Sequence, residues 1–62
     1  MKDKETLRKL GKLYMELGEI CNKMAELEEK EEAGETIPES QVNEIVGEYM
    51  LKVLELQKVA NG

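Results

Sequence analysis

Apolar residues recur at Leu7, Leu10, Tyr14, Leu17, Cys21 and Met24 with alternating steps of three and four, and a second run of the same kind follows Pro38. That spacing places one apolar flank on each of two helices, because 3.6 residues complete a helical turn. In a chain of 62 residues nothing is left over for a further element. Whatever the protein does must be done by the faces of a helical hairpin, so the predicted class is all-α, an antiparallel two-helix hairpin in a single domain over residues 1–62.

The first helix is expected over about residues 3–33. Asp3 or Thr6 can accept a hydrogen bond from an early backbone N–H, and Gly34 ends the helix. With Leu7 as position a of a heptad, positions a and d hold the six residues named above, and position g adds Leu13, Ile20 and Leu27. Position e holds Gly11, Gly18 and Ala25. Glycine inside a helix costs about 1 kcal/mol relative to alanine. Small residues at one register let another backbone come close, and we favour that reading over local weakness. Whether the column packs within the hairpin, within a dimer or against another protein is open at this level.

The connector, about residues 34–37, leads into a second helix over about 38–60. Pro38 suits a first turn, Thr36 and Glu39 have capping-box spacing, and Ile37 before proline is expected to be extended. Those signals do not single out one N-cap. The main face of the second helix carries Val42, Ile45, Val46, Tyr49, Val53, Leu56, Val59 and Ala60, widened by Met50 and Leu54, and Asn61-Gly62 closes it. So short a connector makes the helices antiparallel neighbours, with Leu27 near Val42, Ile20 near Tyr49, Leu17 near Val53 and Leu10 near Val59.

Two helices cover only one side of each other, and these apolar faces are wider than that. Met15, Met50 and Leu54 are expected to stay wet in a lone hairpin. Pairing hairpins into a four-helix bundle buries the remainder, so a homodimer is expected, with Gly11, Gly18, Ala25, Leu17, Tyr49, Met50 and Leu54 as candidate interface residues. Lys2, Lys4, Arg8, Lys9, Lys12, Lys52 and Lys58 collect where the termini meet. Glu26, Glu28, Glu29, Glu31, Glu32, Glu35, Glu39, Glu44 and Glu48 collect at the turn end. An antiparallel dimer sets each basic end against an acidic one, whereas a parallel dimer stacks like charges. The same polarity opposes the macrodipole of the first helix, which favours acidic residues early and basic ones late.

The chemistry is sparse. There is no histidine, Ser40 has no base to activate it, and no glycine-rich phosphate loop occurs, so neither catalysis nor a cofactor nor a metal site is expected. Cys21 lies in the apolar run and is expected to be a small buried hydrophobe. Met15, Met24 and Met50 at helical spacing read as core before they read as an adaptable binding surface. With no Trp or Phe, the core must be aliphatic and Met-rich, hence soft. The acidic residues Glu28, Glu29, Glu31, Glu32 and Glu35 lack the alternating ligands and turn glycine of a calcium loop and read as a solvated helix end, with a partner surface as the functional version.

A net charge of −5 repels nucleic acid and anionic membranes at long range. Nucleic-acid binding through Lys2, Lys4, Arg8, Lys9 and Lys12 is the leading alternative, weakened by the lack of aromatic residues for stacking there. An inhibitor using the acidic end as a phosphate mimic is a further one. The single cysteine, the lack of a leader and the lack of an apolar stretch of about 18 residues suggest a soluble chain in a reducing, cytoplasmic setting. The reading with the most support is a small non-enzymatic protein-interaction module, a regulator, adaptor or inhibitor, working as a homo-oligomeric bundle with an unidentified protein partner.

Overall fold

The computed structural model describes residues 3–61, all helix apart from the caps and one connector: α1 spans Lys4–Glu32 and α2 spans Glu39–Asn61. Lys2, counted in the basic cluster, and Gly62, part of the expected helix stop, lie outside the described residues.

Each helix end follows from the local sequence. The Thr6 N–H donates to the Asp3 side chain at 2.8 Å and the Leu7 N–H donates to the Asp3 carbonyl at 3.1 Å, which makes Asp3 the N-cap of α1. The bond donated by Thr6 stabilises the carboxylate and holds the Asp3 carboxyl below its ordinary range. At the other end Gly34 takes φ = +90°, a conformation that costs any residue with a Cβ. The turn lets the Gly34 N–H reach the Glu31 carbonyl and the Glu35 N–H reach the Lys30 carbonyl, both at 3.0 Å. These two bonds form a Schellman motif and satisfy carbonyls the helix would leave bare.

The start of α2 resolves the question the sequence left open. The Pro38 carbonyl accepts from Gln41 at 3.1 Å and from Val42 at 3.3 Å, so Pro38 itself is the cap residue. Thr36 lies two residues too early to close a capping box with Glu39.

The helices pack against each other in antiparallel fashion, with Lys52 paired to Glu16 and Lys23 to Glu48 across the seam. Leu13, Ile20 and Ile45 are buried, and Leu10, Leu17, Met24, Leu27, Val53, Leu56 and Val59 are half-buried around them. On α1 the seam therefore runs along heptad positions g and d. The a column falls outside it: Leu7 is 54% exposed, Tyr14 62% exposed, and Cys21 is exposed as well. This corrects the expectation of a buried Cys21. The cause is geometric, since a seam centred between g and d leaves position a about a quarter turn round the helix.

The hairpin is a rod of 48 × 16 × 11 Å with a radius of gyration of 14.7 Å, against about 10.6 Å for a compact chain of this length. Among the described residues no helix is long and apolar enough to cross a membrane.

Candidate protein-interaction face

Successive residues of a helix are turned by about 100°, which gives the two flanks of the hairpin opposite chemistry. On α1, Leu7, Tyr14 and Cys21 lie about a quarter turn past the seam, Gly11, Gly18 and Ala25 about 40° further, and Met15 at the far edge. On α2, Val46 and Val53 lie one residue past Ile45 and Lys52 respectively, with Met50 beyond them. In both helices the apolar flank follows the seam in the same rotational sense. Because the helices run in opposite directions, the same sense brings both flanks to one side of the rod.

The resulting face is exposed and continuous. Met15 is 71% exposed, Met50 61%, Leu54 54% and Tyr49 39%. Tyr49, Met50, Val53, Leu54 and Gln57 line a shallow groove of about 220 Å³ on it. A second groove, of about 250 Å³, runs between Met24 and Leu27 of α1 and Val42, Ile45 and Val46 of α2. Leu17, at the edge of the seam, is half-buried. Gly11, Gly18 and Ala25 are exposed, and a Cβ built on either glycine would meet no atom within 4 Å. The hairpin itself therefore does not require glycine at these positions.

The opposite flank is charged. Lys52 bonds Glu16 at 2.5 Å and Glu55 at 3.7 Å, and Lys23 lies 3.9 Å from Glu48. The Lys52 hydrogen bond holds the Glu16 carboxyl below the ordinary carboxylate range, and the Glu16 carboxylate in turn raises Lys52. A groove of about 410 Å³ lies here among Lys9, Lys12, Glu16, Lys52, Glu55 and Lys58. It is an open trough lined by four lysines and two glutamates, of which Lys52 is paired with both Glu16 and Glu55, and Leu13 and Val59 complete its lining. Among the described residues no group of three or more Cys, Asp or Glu stands close enough to hold a metal ion.

Charge also grades along the apolar face. Position e of α1 reads Lys4, Gly11, Gly18, Ala25, Glu32, and position a ends on Glu28. Arg8 and Glu29 flank the two ends at position b. Glu28, Glu29, Glu31, Glu32 and Glu35 are all exposed at the turn end, with Glu28 and Glu31 beside the groove that holds Met24 and Val42.

Which flank of α1 faces α2 was beyond the periodicity alone, because positions a, d, e and g are all apolar or small. A usable signal was present: Leu10, Leu13, Leu17, Ile20, Met24 and Leu27 at d and g are uniformly aliphatic or Met, while position a carries Tyr14 and Cys21 and then turns acidic at Glu28. No known protein family, no curated protein and no solved structure matches this chain.

Proposed function

We propose that the chain is a small non-enzymatic protein-interaction module that acts as a homodimer, two hairpins joining by their apolar faces into a four-helix bundle. The observation that carries this reading is the concentration of exposed apolar side chains, Leu7, Tyr14, Val46, Met50 and Leu54 among them, on the flank that lacks the ion pairs. Contiguous exposed apolar side chains of this kind are characteristic of association surfaces.

Surface area supports the same conclusion. The hairpin exposes 5142 Å², whereas a folded chain of 7.1 kDa is expected to expose about 4,100 Å². The excess, about 1,000 Å², compares with about 800 Å² that each partner buries in a standard stable interface. With only Leu13, Ile20 and Ile45 buried among the described residues, the hairpin alone is also poorly supplied with core.

Sedimentation equilibrium over a wide range of protein concentration tests the proposal. A dimer is expected at micromolar concentration. A chain that stays monomeric up to millimolar concentration would leave the apolar face to a different protein and overturn the homodimer.

A further inference from the structure

We infer that the second copy lies antiparallel on the first, α1 against α1 and α2 against α2, about a twofold axis that passes beside Gly18. This deepens the proposed self-association and rests on it.

The inference starts from the charges that bound the apolar face. Lys4 and Arg8 stand at one end of the α1 flank and Glu28, Glu29 and Glu32 at the other, with no charge on positions a and e between. A surface that is positive at one end and negative at the other matches itself only when turned end for end. If residue 18 faces its own counterpart, antiparallel geometry fixes the remaining pairs. Lys4 meets the partner's Glu32, and Arg8 meets the partner's Glu28. Gly11 meets the partner's Ala25, so small residues fall opposite small residues, and Met15 meets the partner's Cys21. Both rows of carboxylates thereby gain a cation, and the twofold axis repeats each pair.

The second helix meets the same condition independently. The ion pairs Glu16–Lys52 and Lys23–Glu48 set the two helices level, so that Gly18 stands beside residues 50–53. The apolar residues on that flank of α2 run from Val42 to Ala60 and are centred on residue 51, within that interval. An axis through Gly18 therefore bisects both flanks at once. It sets Met50 against the partner's Val53 and Val46 against the partner's Gln57, and closes the groove between Tyr49 and Leu54. A parallel arrangement keeps the apolar area but brings Glu28, Glu29 and Glu32 of both copies to one end and Lys4 and Arg8 of both to the other.

Orientation is read directly by a distance between copies. With Cys21→Ala as background, Lys30→Cys carries a spin label on the charged flank near the turn, and intermolecular distances are measured by pulsed dipolar spectroscopy. An antiparallel dimer separates the two labels by about 36 Å along the axis and about 45 Å overall, and a parallel dimer by about 25 to 30 Å. The longer distance is expected. The shorter distance overturns the orientation and leaves self-association standing. No intermolecular distance in a sample that sediments as a monomer overturns the self-association itself.

The unlabelled chain supplies a second measurement, free of any effect of the label or of the Cys21 substitution. Lys4→Glu with Arg8→Glu is expected to weaken the dimer about tenfold at low salt, and adding Glu28→Lys with Glu32→Lys to restore it. Failure of the four-fold charge exchange to restore association, with helix content intact, refutes the pairing.

Discussion

Gly18→Ala separates a glycine that merely tolerates its place from one that a neighbouring chain requires. In the hairpin a Cβ at Gly18 meets nothing within 4 Å, and the same is true at Gly11 and Gly47. For an isolated hairpin, each Gly→Ala change at these helix-interior sites should therefore stabilise by about 0.8 to 1 kcal/mol through helix propensity alone. In a domain of this size that corresponds to a rise in Tm of about 4 to 8 °C. Gly47 lies beside Leu54 on the outer side of α2, about half a turn from the seam and beyond the residues that the twofold axis pairs, and serves as the internal control.

At Gly18 a second term enters. Its methyl would meet its own counterpart across the twofold axis, and overpacking of a closed interface costs about 1 to 3 kcal/mol. The propensity gain is thus cancelled or reversed, and Gly18→Leu, with a larger side chain, should abolish the dimer. Thermal unfolding followed by circular dichroism, paired with sedimentation equilibrium on each variant, resolves the two terms. Gly47→Ala should show the full gain with unchanged association, whereas Gly18→Ala should show weaker association. If Gly18→Ala gains the full 4 to 8 °C and dimerises like the parent, the close-approach argument is wrong.

Three further outcomes are expected. Ile20→Ala empties the most buried position of the seam, where Ile20 is 5% exposed, and should cost about 2 to 4 kcal/mol, enough to unfold a hairpin with so small a core at ambient temperature; urea titration by circular dichroism reads the loss. Gly34→Ala forces a Cβ into φ = +90° and should destabilise by about 1 to 2 kcal/mol, seen as a lower Tm and in faster amide exchange at Glu35, opposite in sign to Gly47→Ala. The Glu16–Lys52 pair should make stability fall in acid: Glu16 is lowered in the folded state, so its contribution is complete above the ordinary carboxylate range and is lost as pH drops through the lower folded value. Lys52 is raised, so its contribution is complete below the ordinary lysine range and is lost as pH rises through the higher folded value. Glu16→Gln should flatten the acid limb of a stability–pH profile and leave neutral stability little changed, as is usual for a solvent-accessible pair.

The number of helices, their ends to within a few residues and their antiparallel packing are local matters, and the sequence carried them, although it left the choice between Asp3 and Thr6 and the cap of α2 open. A carboxylate three residues before Thr6, a glycine after an acidic run and one proline in the connector each act within a few residues, so Asp3, Gly34 and Pro38 could be recognised as punctuation without any tertiary contact. The width of the apolar arc was legible for the same reason, since it depends only on 100° per residue.

The part of that arc that faces α2 was a tertiary decision. Leu13 and Ile20 form the centre of the seam, and Leu7, Tyr14 and Cys21 are turned outward, because the helices rotate until the uniformly aliphatic g and d positions meet Ile45 and Leu56. Rotation about a helix axis leaves every local hydrogen bond intact, so no propensity or cap can register it; only side-chain packing across the seam distinguishes one rotation from another. The same rotation gathered the ion pairs on one flank of the rod and most of the exposed apolar residues, Leu51 excepted, on the other, and so created the face on which the proposed function rests.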